Sequence, residues 1–386
     1  MSRFQPLALR ASAGAAAVFA PQALLCHTFL MSLVKELLRP LAEDGSALTR
    51  EQAAAVLEEI LAGQVPDVET AAMLAVFATR GEQAPELAGF VDVMRRNAVV
   101  LPFSEEERAE LVDCVGTGGG GPQTFNISCG AALVASAAGA KVAKHGNRAV
   151  TSRCGAADVL EALGVPIELP PTLAVECLRE TGFVFLYAPL YHPAMKALGP
   201  LRRALGFHTI FNLVGPLTNP AHARTQVIGV LAPSRVLLVG RTLLALGARR
   251  AFVVHGTDGI DELTTTGESV VARIVESAEG KPELKAARIT PKMAGLERTT
   301  IDQFTGGDIE TNKALLYDVL TGIPGARRDV VLLNAAAVLV AAGLAGDLKQ
   351  GVAMGAEAID SGQAAATLEK LRQFGKKHTA KPNGAA

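Results

Sequence analysis

Between Gly116 and Thr124 the chain reads GTGGGGPQT. Glycines there let the backbone approach a ligand closely, and successive N–H groups can form a nest for an anion. The segment that follows, NISCGAALVASAAGA, predicts a helix starting near Asn126, whose positive end adds to the nest. A glycine-rich loop by itself also serves as a plain turn. This one is not a Walker loop, because no GK[ST] follows, and it lacks the acidic residue at the end of the following strand that marks a dinucleotide fingerprint. A second segment, KHGNR from Lys144 to Arg148, ends the next predicted strand, which is where ligands sit in open α/β sheets. Two cations, an amide and a histidine in that stretch would be a solvated strand end in isolation; beside the glycine nest they suit a phosphate-rich ligand.

A third segment, VVHGTDGIDE, places Asp261 and Glu262 side by side just after a predicted strand. Hard carboxylate oxygens suit Mg²⁺, which is usually held by one or two carboxylates plus substrate phosphates; the alternative is a solvated turn. A fourth runs from APLYHPAMK through LRRALGFHTIFNLVGPLTNP and contains His192, Arg202 and Arg203. A guanidinium grips a carboxylate with two parallel bonds, although both arginines would equally serve as surface charges on a helix.

The elements that must position these segments fall into two textures. From Met31 to about Ala98 the pattern is helical: Thr49 and Gln52 form a capping box, Gly63 closes that helix, Asp67 caps the next and Gly81 ends it. This unit carries no catalytic-looking cluster, so packing and dimer formation are its expected roles. After Pro102, AELVDCVG, KVAKHG, TQVIGVL and RAFVVHG read as strands separated by helical segments, which implies a largely parallel sheet covered on both faces. ESVVARIVES adds strands of antiparallel character, and the C-terminal third is mostly helical. The expected class is α/β, a small all-helical domain plus a larger α/β domain with a mainly parallel central sheet. The expected divisions are an extension at 1–30, a helical domain at 31–101, an α/β domain at 102–375 and a polar tail at 376–386.

Composition narrows the function. Basic and acidic side chains number 37 and 38, giving a formal charge of −1, and aromatics are only 4% with no Trp. Neither nucleic acid nor an anionic membrane is therefore expected as a partner. No stretch approaches the roughly 18 consecutive apolar residues of a membrane helix. The cysteines, Cys26, Cys114, Cys129, Cys154 and Cys177, are odd in number and form no CxxC pair. That argues against a disulfide framework or structural zinc and for a reducing, cytoplasmic setting. The first thirty residues hold Arg3 and Arg10 but no acid. They read as an unstructured extension upstream of a second start at Met31, with an organellar transit peptide or a poor secretory signal as the other readings.

Taken in order, GTGGGGPQTFNIS, KHGNR, GAADVLEALG, HPAMK, FNLVGPLTNP and DGIDE, with LLNAAAVL near the end, resemble the anthranilate phosphoribosyltransferase family over about Met31 to Gly375. The resemblance implies a helical domain completed by helices around 172–205, through which members typically dimerise, hinged to the α/β domain. It implies transfer of a phosphoribosyl group from 5-phosphoribosyl 1-pyrophosphate to the amine of anthranilate, with two Mg²⁺ per active site. Matching positions would hold the phosphoribosyl pyrophosphate with Gly116, Gly119, Gly120, Thr124, Asn126, Ile127, Ser128 and Cys129. Lys144, His145, Gly146, Asn147, Arg148, Ala149, Val150, Thr151, Ser152 and Ala156 would continue that site, with Lys144 and Arg148 as catalytic charges. Gly116, Asn147 and Arg202 would meet anthranilate, with His145 and His192 lining its approach. Ser128, Asp261 and Glu262 would be the metal ligands. Three positions depart from the family pattern: Gly120 for a usual Asp, Cys129 for Thr and Ala156 for Ser. The alternatives left beside this resemblance are a pyrimidine nucleoside phosphorylase and a non-catalytic nucleic-acid-binding relative.

Overall fold

The structure, a computed structural model, describes residues 32–118, 121–149 and 152–379. The extension at 1–30, Gly119, Gly120, Val150, Thr151 and the tail from residue 380 lie outside the described residues.

Four helices open the described chain, α1 (Leu33–Glu43), α2 (Arg50–Leu61), α3 (Asp67–Arg80) and α4 (Ala84–Arg96). Thr49 and Gln52 form the expected capping box on α2, and Gly81, at positive φ, stops α3. Asp67 is not the N-cap of α3. Pro66 holds that position without a side-chain bond, and Asp67 is the first helical residue, its charge still at the positive helix end. Glu86 ties the unit together from inside α4: buried, it accepts from the Leu48 amide at 2.9 Å, the Gln83 amide at 2.8 Å and the Arg80 guanidinium at 2.6 Å. A buried carboxylate satisfied this way rigidifies its surroundings.

The α/β part begins with α5 (Glu105–Glu110) and β1 (Leu111–Gly116), then α6 (Ile127–Ala137), β2 (Lys141–Gly146), α7 (Ala156–Ala162), α8 (Pro171–Thr181) and β3 (Phe183–Tyr187). It continues with α9 (Ala188–Tyr191), α10 (Gly199–Leu205), α11 (Ile210–Leu217), β4 (Thr225–Gly229), α12 (Pro233–Ala245), β5 (Arg250–Gly256), β6 (Ser269–Glu276) and β7 (Pro282–Ile289). Helices α13 (Ile309–Leu320), α14 (Ala326–Ala342), α15 (Leu348–Asp360) and α16 (Gln363–Thr379) close the described chain. The sheet order is β3-β2-β1-β4-β5-β6-β7. The pairings from β3 to β5 are parallel and the last two antiparallel.

Side chains alternate across a strand, and the two faces feed two cores. Val227, Phe252, Val254 and Val271 join the core that contains α6 and α14. Their neighbours Ile228, Val253, Ala272 and Ile274 join the core that contains α12 and the helical bundle. The bundle thus joins that face of the sheet through α12, which packs on α4 on one side and on β5 and β6 on the other.

The span 172–205 departs from expectation. Residues 183–187 form β3, an apolar run too short for periodicity to separate strand from helix. Helix α8 buries Ala174, Val175, Cys177 and Leu178 in the α/β core rather than the bundle. The bundle is completed by α10, at the end of that span, and by α11 just beyond it: α10 packs on α3, and α11 on α3 and α4. The polar tail also starts later than expected, since α16 runs through residue 376 to Thr379. Phe374 is buried there, and Lys377 reaches Glu180 at 3.2 Å. Among the described residues no helix is long and apolar enough to cross a membrane.

Candidate active site

Four of the parallel strands, β1, β2, β4 and β5, end on glycine: Gly116, Gly146, Gly229 and Gly256. A side chain at Gly116 would run into the Asp261 carboxylate, and one at Gly229 into the Asp261 backbone. At Gly256 it would meet Asp258 and Ile260. The ends of β1, β4 and β5 are bare so that the segment 258–263 can lie across them, while Gly146 gives room to the Phe185 ring. The Gly118 amide, at positive φ, donates to Asp261 Oδ2 at 3.1 Å, joining that segment to the glycine loop.

Three acids stand in this crossing, and their environments separate their roles. Asp258 is a turn-builder: its Oδ2 accepts from the hydroxyls of Thr264 at 2.6 Å and Thr266 at 2.7 Å. Asp261 touches the glycine loop. Glu262 is half-buried, and its Oε2 is sealed from solvent without a hydrogen bond among the described residues. Burial and the adjacent Asp261 push its carboxyl well above the usual range. Two crowded carboxylates with an orphaned buried oxygen fit a divalent cation, which would remove the like-charge penalty. No cluster of three or more His, Cys, Asp or Glu able to hold a metal occurs among the described residues. A cation here would therefore complete its shell with phosphate oxygens and water.

The crossing is held from behind by a residue the sequence reading left without a role. Asn334 sits buried in the apolar run of α14; its Oδ1 accepts from the Leu263 amide at 3.0 Å, and its Nδ2 donates to the carbonyls of Leu263 at 2.8 Å and Val330 at 2.9 Å. A small cavity at the strand ends is lined by Gly116, Ser128, Gly229, Asp261, Glu262 and Asn334. The available signal was a lone amide in an otherwise apolar helix; its partner lies 71 residues away.

On the β2 side, Lys144 is fully buried, its ammonium donating to the Cys114 carbonyl and standing 3.4 Å from Ser128 Oγ. Ser128 lies in the first turn of α6, so the lysine places fixed positive charge beneath the helix start that faces the glycine loop. Asp113, buried on β1, accepts from the His145 amide at 3.1 Å; burial raises its carboxyl to about 6. Asn126 spends its side chain on the Cys154 carbonyl at 3.3 Å and on Asn312 at 3.0 Å. Ile127 and Cys129 point into the core, so at those positions only the backbone is left to meet a ligand. Thr124 is bridged to Thr305, which anchors the far side of the glycine loop.

After β2, Asp158 straps the turn by accepting from the amides of Ala149 and Gly155, both at 2.9 Å. Asn147 accepts from the Arg148 amide at 2.8 Å through its own side chain, and Ala156 opens α7. Ser152 Oγ reaches only the Cys154 carbonyl, at 3.5 Å. Arg148 is spent on neighbours: its guanidinium grips Glu161 at 2.7 and 3.1 Å and Asp158 at 3.1 Å, which raises its pKa. Of the two expected catalytic cations, Lys144 is beneath the glycine-loop helix and Arg148 is neutralised on α7.

On the side expected to receive the acceptor, His145 and His192 come together, ring centroids 5.1 Å apart. Burial lowers them to about 3 and about 4, so both rings are neutral at physiological pH. Asn219 pins the neighbouring turn to β2 by donating to the Ala143 carbonyl at 2.8 Å. Arg202 is half-buried 5.5 Å above the Phe211 ring, has no ion pair among the described residues, and loses basicity to burial. Arg203 beside it is exposed. No hydrogen bond or ion pair joins Arg202 to the strand-end residues.

A sheet capped by an acid-bearing crossing and joined to a helical bundle is the two-domain architecture of a glycosyl transferase family. Sequence profiles agree: the α/β domain of a glycosyl transferase family matches residues 108–365, and its helical bundle domain matches 35–98. An anthranilate phosphoribosyltransferase of Moorella thermoacetica is 46% identical over 85% of this chain and 94% of its own length. That of Symbiobacterium thermophilum is 45% identical over 88% and 97%. The crystal structure of the Thermus thermophilus enzyme superposes with a TM-score of 0.80 at 41% identity, covering 90% of this chain and all of that one. The Saccharomyces cerevisiae enzyme, in complex with PRPP and Mg, does so at 0.79 and 25% identity, covering 90% and 99%. The chain belongs to the anthranilate phosphoribosyltransferase family.

Proposed function

We propose that the carboxyl end of the parallel sheet is the catalytic cleft for the family's reaction. The chain transfers the phosphoribosyl group of 5-phosphoribosyl 1-pyrophosphate to the amine of anthranilate, giving N-(5-phosphoribosyl)anthranilate and pyrophosphate. The observation that carries the placement is the Asp261–Glu262 crossing, lying over glycine strand ends and bonded to the glycine loop.

Displacement at the ribose anomeric carbon breaks the bond to pyrophosphate and forms the bond to the anthranilate nitrogen, and the ring passes through an oxocarbenium-like state. The demands are stabilisation of the leaving diphosphate and alignment of the amine. The Gly116–Gly118 backbone, the start of α6 and the buried Lys144 charge supply a preorganised positive field. Magnesium is the cofactor: Asp261 and Glu262, with Ser128, would hold it, two ions per site, and it adds charge neutralisation at the phosphates. Neutral His145 and His192 line the acceptor's approach without competing for its carboxylate, and Arg202, lacking an acidic partner, is free to take that carboxylate. An aryl amine is already nucleophilic, so no general base is assigned. We also propose a homodimer formed through the bundle, on whose α3 Val68 is 74% exposed. A cytoplasmic setting suits the free, buried Cys114, Cys129, Cys154 and Cys177.

The test is loss of anthranilate fluorescence on adding 5-phosphoribosyl 1-pyrophosphate and Mg²⁺. Turnover dependent on all three components is expected. Thymidine phosphorolysis without anthranilate turnover would replace this reading with the nucleoside phosphorylase one.

A further inference from the structure

The amino end of the same sheet carries a second cavity, of about 410 Å³. It opens where the ends of α4 and α5 meet the starts of β4 and β5, and Arg95, Arg108, His222, Arg224 and Glu105 line it. At roughly 3.3 Å per residue, the length of β4 separates it from the catalytic cleft by more than 10 Å.

The charges around it do not balance. Glu105 is the one acid in that lining; it is 72% exposed, and it reaches Arg224 at 3.2 Å and Arg108 only at 3.7 Å. Arg108 is aimed by carbonyls, donating to Ala221 at 2.7 Å and Leu101 at 2.6 Å. Arg95 likewise donates to the Leu217 carbonyl, at 3.2 and 2.8 Å, and forms no ion pair among the described residues. The carboxylate whose field it feels, Asp92, is gripped by Arg50 at 2.6 and 2.9 Å. Carbonyls orient a guanidinium but cancel none of its charge. Burial pulls Arg95 down to about 10, and burial with Arg95 and Arg108 also lowers His222.

The backbone points the same way. His222 is the one non-glycine residue at positive φ among the described residues, at 56°. The turn that holds it there is fixed by Asn219, which accepts from the amides of Ala221 at 2.8 Å and His222 at 3.0 Å. Such a conformation persists only where its surroundings over-determine it, and it recurs at ligand sites. Three guanidiniums and an imidazole converging on a concave surface whose one acid is the exposed Glu105 make a site with an excess of positive charge.

We propose that this cavity binds the phosphate group of a small phosphorylated molecule, which bridges the bundle residue Arg95 to Arg108, His222 and Arg224 of the α/β part. The site stands apart from the catalytic reading of the carboxyl end and does not depend on it.

Inorganic phosphate is the probe, added to the full-length protein with ¹³C-labelled histidine, ionic strength being held constant with chloride. The His222 ring signal is identified by its disappearance in His222→Asn, a residue type that tolerates positive φ. That signal should shift saturably with phosphate. Arg224→Gln and Glu105→Gln alter exposed side chains and should fold normally. The first should raise the midpoint about 3- to 5-fold, as an exposed charge contact allows, and the second should lower it. An unmoved His222 signal overturns the proposal. So does a shift with the same midpoint in both variants, which would place the phosphate in the catalytic cleft.

Discussion

The two ends of the parallel sheet are built with opposite unspent charge. At the carboxyl end, Asp261 and Glu262 crowd together, and Glu262 keeps one buried oxygen without a partner. At the amino end, Arg95 and Arg108 face a cavity whose one acid, the exposed Glu105, is bonded to Arg224. Other charges are spent on one another: Arg80 on Glu86, Arg148 on Glu161 and Asp158, Arg179 on Glu107. A folded chain tolerates desolvated, uncompensated charge where a ligand supplies the counter-charge. The contrast between spent and unspent groups therefore separates ligand sites from scaffolding more sharply than residue type alone.

Removing the acid charge breaks the carboxyl end of the comparison most severely. Asp261→Asn with Glu262→Gln keeps shape and deletes two charges. The Mg²⁺ concentration for half activity should rise about 100-fold, equivalent to about 2.7 kcal/mol, and an unchanged Mg²⁺ titration would remove these residues as ligands. Next comes the unspent guanidinium on the acceptor side. A charge-assisted bond contributes about 1.5–3 kcal/mol, so Arg202→Ala should lose about 10- to 150-fold in kcat/KM for anthranilate. The exposed Arg203→Ala should lose little; steady-state kinetics showing equal losses would mean the wrong arginine is assigned.

Asn334→Leu tests whether the acid crossing is held from behind. It strands the Leu263 amide and carbonyl, and should cost about 2–3 kcal/mol of stability in denaturant titrations. It should also weaken the Mg²⁺ response, whereas a purely structural role would lower stability and leave that response intact. The smallest effect concerns the neutral histidine pair. His192 falls to about 4 in the fold against an ordinary value near 6.5. Its neutral burial therefore contributes stability that is fully present above pH 6.5 and is lost as pH falls toward 4. His145, at about 3, acts in the same direction, and Asp113, raised to about 6, acts oppositely between about 3.8 and 6. The stability difference between wild type and His192→Asn should narrow or reverse by about 1–2 kcal/mol from pH 7 to pH 5. A pH-independent difference would mean the ring titrates in the fold as it does in the unfolded chain.

Much of the sheet was legible because its strands are short apolar runs ending in glycine. KVAKHG and RAFVVHG match β2 and β5 residue for residue, and the acid pair that follows β5 does meet the glycine loop, through the Gly118 amide on Asp261. What sequence left hidden depends on distance along the chain. β3 lay in a span read as helical because FVFLY has no decisive period. The helices completing the bundle lie at and just beyond the end of the expected span, because pattern alone does not show which core a helix buries: α8 joins the α/β core, α10 and α11 the other. Asn334 had no visible partner. The basic cavity draws on α4, α5 and the turn before β4, none of which stands out alone. Arg148 read as a free cation beside the nest; its neutralisation by Glu161, one helix on, appears only in three dimensions.

The account rests on a cation binding at the carboxyl end of the sheet, between the acid crossing and the ligand's phosphates. A crystal structure with 5-phosphoribosyl 1-pyrophosphate and Mn²⁺ in place of Mg²⁺ tests this directly, because manganese scatters anomalously. The account predicts an anomalous peak on the carboxylates of Asp261 and Glu262, with the diphosphate over the Gly116–Gly118 backbone. A fully occupied ligand with its manganese away from both carboxylates would contradict it.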